Sequence, residues 1–347
     1  NGAAAQVLTV GAGGLSLNNA RITIADTAAG TGTSAQLLLN GDVTASGSSS
    51  LFTNESTQAS IDLGAATRTF TTRAGGSLNL LVVVDNGALT KAGSGTMTLS
   101  GTNTYSGLTT VQAGTLSVSA DNNLGSGNIV IAGGALQATA SFTLQAGRSI
   151  AVGPETGSGT GGIDVAGTSN LTFDGVISNN AAGSGSLLKT NTGTLTLGGN
   201  NSYSGGSALT GGGKICVNSS TALGSGPVTV GNTAGNQVLL GNGVVITNTL
   251  AIQGGGVASE AVLYLPAGSA TWSGSISISA SATGGHFAGG TLTLGGAITS
   301  SVPVLFSGGT VIVSGSGSNF ANATLSKGTL KLGAAGDATN TPLGTTG

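Results

Sequence analysis

The chain has 347 residues, 65 of them Gly; 6% are charged, 3% aromatic and 38% hydrophobic, and the formal net charge is −2. It is too apolar and too sparsely charged for a disordered segment, its five Pro and aperiodic Gly exclude collagen, and its longest clear apolar run, 80–84, is far short of the ~20 residues of a membrane-spanning helix. No basic stripe or polybasic patch exists for nucleic acid or an anionic membrane, and a single Cys excludes an intramolecular disulfide framework.

In chain order, short segments alternate apolar with Thr or Ser, and Gly, Asn or Ser punctuates their ends. Ile22-Thr23-Ile24, residues 36–39 and Thr69-Phe70-Thr71 come first. Thr96-Met97-Thr98-Leu99 and Thr115-Leu116-Ser117-Val118 follow, then Leu292-Thr293-Leu294 and residues 302–306. Period-2 alternation bounded by turn residues is the mark of β-strands.

The chain also repeats itself. LTKAGSGTMTL from Leu89 and LKTNTGTLTL from Leu188 align so that Lys91 meets Lys189, Gly95 meets Gly193, Leu99 meets Leu197 and Tyr105 meets Tyr203. LGSG at 124–127 recurs at 223–226. A degenerate relative begins at Gly290 (GTLTLGG), with further echoes at Gly309 and Gly328. Repeat units therefore lie near 89–136, 188–233 and 290–347. Within them, strand-like segments recur about every 20 residues.

Strands this short cannot close a core alone, but stacked coils can, each burying its inward side chains against its neighbours. The expectation is an all-β, right-handed parallel β-helix: one elongated domain over 1–347, with roughly 17 coils of about 20 residues. At ~4.8 Å per coil that is a rod of about 80 Å. Met97, Leu99, Leu116, Val118, Ile129 and Ile131 should point inward, Thr, Ser and Asn outward, with Gly at corners. Asn40-Gly41 and Asn86-Gly87 would suit hairpins of an antiparallel sandwich, but the long-range register favours a solenoid.

Residues 89–119 and 187–209 closely resemble the autotransporter-associated β-strand repeat, also called the passenger-associated transport repeat; the LGSG segments and Arg68-Thr69-Phe70 fit the same pattern. The resemblance implies a right-handed parallel β-helix exported to or beyond a bacterial cell surface, among adhesins, autoaggregation proteins and large repetitive surface proteins. It implies no particular activity. The chain starts at Asn1 and ends in Leu343-Gly344-Thr345-Thr346-Gly347; the expectation is a product processed from a longer precursor. The C-terminal membrane barrel usual in the family is absent from this sequence, so the export route stays open.

Chemistry is sparse. His286 is the only histidine, which a Ser-His-Asp site would require; a structural or exposed role is expected. One His and one Cys make a zinc site improbable. Cys216 should face away from Ile215 and Val217. Asp42 and Asp62, and Glu155 and Asp174, are spaced about one coil apart and could stack as a glycosidase-like pair, although two such carboxylates repel unless calcium or a shared proton intervenes. Residues 159–164 (GTGGID) partly match a calcium-binding nonapeptide, with Thr where its second Gly belongs. Gly213-Lys214 lacks the following Ser or Thr and the upstream Gly of a P-loop. Tyr105 and Tyr203 could stack on carbohydrate or pack a turn, and Asn103 and Asn201 could form ladders at coil corners. Thr96/Thr98, Thr194/Thr196 and Thr291/Thr293 are too far apart in sequence for an ice-binding face.

No catalytic, cofactor or metal residue is therefore assigned. The functional expectation is a non-enzymatic, extracellular structural or adhesive protein: a stalk or filament subunit that associates with itself and makes multivalent polar contacts, with glycans or neighbouring cells as possible partners. Ends lacking an evident cap would favour end-to-end assembly. The alternatives are a polysaccharide lyase or glycosidase on the same scaffold, and a specific glycan-binding adhesin.

Overall fold

A computed structural model describes residues 6–25, 35–55, 58–256, 260–281 and 285–333. The expected segments 1–5 and 334–347, including the end of the third repeat, lie outside the described residues. The fold is a parallel β-solenoid of about 13 turns. The chain divides into two compact units, Asn1–Gly162 with Asn180–Gly183, and Ile163–Asn179 with Ser184–Gly347.

In the first unit one parallel sheet runs through Arg21–Ile24, Ser50–Asn54, Ser77–Leu80, Thr96–Leu99, Thr115–Val118 and Ala135–Ala138. A second runs through Gln6–Val10, Ala35–Leu39, Ser60–Thr72 and Val83–Ala92. Ser60–Thr72 and Val83–Ala92 each turn a corner, where Ala65 and Asn86 adopt positive φ (54° and 52°). Their later halves form a third face: Val43–Ala45 pairs with Phe70, Thr71 and Thr72, and Thr109–Val111 with Leu89, Thr90 and Lys91.

In-register stacking explains why these residues form a core. Leu78, Met97, Leu116 and Leu136 make one inward column, and Leu80, Leu99, Val118 and Ala138 the next. All are at most 1% exposed. Each large side chain so buried contributes about 1.5–3 kcal/mol. Ile129 and Ile131 are buried too, so all six residues expected to point inward do.

The second unit repeats the scheme. Asn170–Phe173, Thr194–Leu197, Lys214–Val217 and Gln237–Leu240 pair in parallel, then Leu263–Trp272, Phe287–Leu294, Ile298–Val313 and Asn319–Leu332. Another face carries Ser184–Thr190, Ser207–Leu209, Val228–Val230, Leu250–Ile252 and Ile276–Ile278.

The expected coil count was too high. An advance of 19 residues holds from Thr96 to Thr115, but Arg21 pairs with Leu51, 30 residues on, and Leu250 with Ile276, 26 on. Corners absorb extra residues without disturbing the strand register, so a spacing taken from the best repeat underestimates the mean coil.

Candidate functional site

The two repeat copies build one polar constellation twice, each copy within its own unit. In the first, the Tyr105 ring is fully buried and its hydroxyl lies 2.8 Å from Thr109 Oγ1, which donates to the Leu124 carbonyl. In the second, Tyr203 meets Ser207 Oγ at 2.6 Å, and Ser207 donates to the Leu223 carbonyl. Burial pushes both phenols above their ordinary value, so neither ionises near neutrality. Neither ring is available to stack on a sugar; both are packing residues.

The LGSG segments exist because of these rings. Gly125 (φ 61°) and Gly224 (φ 66°) lie against the tyrosines of the preceding coil. A Cβ on either would sit 2.8 Å from a ring carbon of Tyr105 or Tyr203. Only glycine satisfies both the backbone and the space.

Asn103 and Asn201 join coils through backbone groups, not through Asn–Asn ladders. Asn103 Oδ1 accepts the Val84 N–H (2.8 Å) and its amide donates to the Asn123 carbonyl. Asn201 Oδ1 accepts the Ile177 N–H (2.7 Å) and its amide donates to the Ala222 carbonyl (2.6 Å). Each side chain thus bonds the coil before and the coil after.

The repeat lysines are the feature the sequence reading treated only as alignment marks. Lys91 and Lys189 are fully buried. Lys91 Nζ donates to the carbonyls of Ala92 (2.8 Å), Gly93 (2.7 Å) and Ala113 (3.0 Å). Lys189 Nζ donates to those of Thr190 (2.6 Å) and Asn191 (2.8 Å). Burial lowers both to about 8, and at Lys189 the nearby Asp164 carboxylate opposes the shift. Gly114 and Gly213 leave room for the ammonium: a Cβ there would lie 2.9 and 2.7 Å from Nζ. The signal was present, because alternation places Lys91 in the inward column of Phe70 and Val111. A charged residue is by habit read as outward.

The spacing that could stack Asp42 on Asp62 does not pair them. Asp42 accepts the Thr69 N–H (2.8 Å), while Asp62 accepts the Gly64 N–H (2.7 Å) and the Asn86 amide (2.8 Å). Coils of unequal length bring Asp62 into register with Leu38 and with Asp85 instead. Burial first, and Asp62 after it, raise the Asp85 carboxyl, while a hydrogen bond to Ser60 opposes them. Glu155 is exposed in the first unit, and Asp174 lies exposed over Gly198 in the second. In the GTGGID stretch, Asp164 accepts from Thr190 Oγ1 (3.1 Å) and the Asn191 amide (3.3 Å), which makes it a coil-to-coil tie.

His286 is 2% exposed; its Nδ1 accepts the Leu305 N–H at 3.1 Å. Cys216 is half-buried and faces away from Ile215 and Val217, with its thiol pushed up by burial. Lys214 pairs with Glu260 at 2.6 Å. Neighbours of the Thr-x-Thr segments are mixed: Ser77 and Asn79 beside Thr96 and Thr98, Lys214 and Cys216 beside Thr194 and Thr196, Thr310 and Ile312 beside Thr291 and Thr293. Among the described residues no three His, Cys, Asp or Glu side chains group as metal ligands would. What the chain presents is a polar, nearly uncharged surface over a hydrogen-bonded stack.

Residues 89–118 and 187–213 match the passenger-associated-transport-repeat family. The chain carries two passenger-associated transport repeats. Each match contains the buried lysine and the Asn-Tyr turn described above. The chain is also 40% identical over 142 residues to the adhesin BmaC autotransporter of Brucella suis biovar 1 (strain 1330). That similarity spans 38% of this chain and 4% of the adhesin's length. No solved structure matches the chain. In both repeats the recurrent Asn side chain bonds the coil before and the coil after.

Proposed function

We propose that the chain is a non-enzymatic, extracellular segment of a bacterial surface adhesin, a β-solenoid that displays a polar surface and acts through stiffness and many weak contacts. The observation that carries this reading is the duplicated transport repeat, whose recurrent Lys, Asn and Tyr residues serve coil stacking. Similarity to a protein named as an autotransporter adhesin supports the surface location and the adhesive role. Processing from a longer precursor belongs to the same reading.

The mechanism follows from the scaffold. Parallel ladders hold outward Thr, Ser and Asn side chains at the ~4.8 Å strand spacing, so a repetitive polar partner meets many equivalent contacts. Individually weak bonds then add by effective concentration. A net charge of −2 leaves little self-repulsion, which favours association between copies.

The test is display of the chain on a non-adherent bacterium, with attachment to host cells and cell–cell clumping scored against an empty carrier. Sedimentation of the purified chain at rising concentration reports self-association. Attachment or clumping well above the carrier is expected. Neither effect, together with release of reducing ends from a glycan, would overturn the reading in favour of the enzyme.

A further inference from the structure

His286, the single histidine and so the one side chain whose ordinary pKa is near neutrality, is built into the backbone ladder of the second unit. Its own N–H donates to the Leu305 carbonyl (3.0 Å), and its carbonyl accepts from Leu263 N–H (2.9 Å). The ring makes a further link to the same neighbour, with Nδ1 accepting the Leu305 N–H at 3.1 Å. The other side of the ring is engaged by the Ala280 backbone. An N–H donor pointing at Nδ1 fixes the neutral tautomer that carries its proton on Nε2. Next in sequence, Phe287 stacks on Phe306 with centroids 5.7 Å apart, so the ring and its neighbour hold one coil to the next.

We propose that His286 is an acid-sensitive latch: protonation at Nδ1 breaks its bond with Leu305 and loosens the coils formed by Leu263–Trp272, Phe287–Leu294 and Ile298–Val313. A protonated Nδ1 is a donor, and it would face the Leu305 N–H, another donor, at a site with 2% exposure. Two donors cannot satisfy each other, and the imidazole side of this contact is buried. Only the proton moves, from solvent to Nδ1, and no covalent bond changes.

Among the described residues of the strands packed around the ring, no charge offsets this. Phe287–Leu294 and Ile298–Val313 carry no titratable side chain, and Leu263–Trp272 carries only Tyr264. The strand Ile276–Ile278 has none. Glu260, ahead of Leu263, is held by Lys214. On the following strand Lys327 lies opposite Ser307 and Lys331 opposite Ile312, both cationic and so unable to welcome an imidazolium. Burial holds the ring below its ordinary value, and the hydrogen bond with the Ala280 backbone opposes that shift without reversing it. A depressed base stabilises the fold fully above the unfolded value of about 6.5, and that stability is lost as the pH falls.

Amide hydrogen exchange on the full chain at pH 7.5 and 5.0, corrected for intrinsic rates, tests the latch at Leu263 and Leu305. Protection there is expected to fall by up to about 30-fold, the limit set by one proton taken up with an unfolded value near 6.5. Fluorescence of the single Trp, Trp272, which is buried on the same strand as Leu263, should change over the same range. His286→Asn keeps an acceptor near Nδ1 and does not titrate, so its protection should stay flat. An equal loss in His286→Asn, or a ring that NMR shows titrating at 6.5 or above with Leu305 protection unchanged, would overturn the proposal. If the variant does not fold, the NMR titration of the native chain decides alone.

Discussion

At the residue scale, each buried lysine sets a lost hydration shell against new hydrogen bonds. An ammonium removed from water loses hydration, which burial in the coil does not return in full. Three carbonyls around Lys91 give back part of it. The folded value near 8 lies below the unfolded value of about 10.4. Between those values the unfolded chain holds more protons, so the lysine's contribution makes stability rise with pH across that window. Cys216, pushed up by burial, acts in the opposite direction, so variants must be compared. Lys91→Met fills the volume but offers no proton to the carbonyls; at pH 7.5 it should cost about 1–3 kcal/mol. Its gain in thermal midpoint from pH 7.5 to 9.5 should be smaller than that of the native chain, and Lys91→Met/Lys189→Met should show less still. Calorimetry across that range checks both. An equal rise in all three proteins would mean that the lysines do not titrate as the burial implies. Asp85 gives the complementary case. Its raised carboxyl means that ionisation is resisted in the fold, so Asp85→Asn should raise the thermal midpoint at pH 7.5 and lose that advantage at pH 4. A midpoint lowered at pH 7.5 would count against this account.

At the element scale, the coil corners carry the specificity. Asn103→Ala removes both the acceptor for Val84 N–H and the donor to the next coil, leaving a buried donor unpaired, with an expected loss of about 2 kcal/mol. Gly125→Ala sets a Cβ against the Tyr105 ring at positive φ and should cost at least about 1–2 kcal/mol. Urea midpoints measure both, with Asn322→Ala at an exposed strand position as the control. A loss no greater than the control's would sink the corner argument. These elements also mark what the sequence could convey. Alternation placed Met97, Leu99, Leu116 and Val118 inward, because every strand reads its faces by parity. The pairings of Asp62 with Asp85 and of Arg21 with Leu51 were not legible: corner insertions change the advance from coil to coil while leaving each strand pattern intact. The roles of Tyr105 and Gly125 needed the fold too, since their contact depends on which turn lies above which.

On the scale of the whole molecule, scarcity of charge is the distinguishing property. Among the described residues two ion pairs occur, Arg148 with Asp121 and Lys214 with Glu260. Arg148 also donates to the carbonyls of Gly125 and Gly127, so its link rests largely on neutral acceptors. An exposed pair is worth at most about 1 kcal/mol, which at the unfolding entropy of a 347-residue chain is no more than about 1–2 °C in the thermal midpoint. Stability is carried instead by apolar columns and backbone ladders, neither of which depends on charge screening. Raising NaCl from 20 to 500 mM, a change that shortens the screening length severalfold, should therefore move the midpoint by less than about 3 °C. The same argument extends to adhesion. A chain with 20 Asp, Glu, Lys and Arg side chains in 347 residues, of which Lys91, Lys189 and Arg148 are buried, has little surface field with which to steer a partner, so attachment of cells displaying the chain should keep most of its strength over that salt range. A steep loss of attachment with an unmoved midpoint would place the binding energy in a few charges, and would require a charged partner and a small local site in place of a distributed polar face.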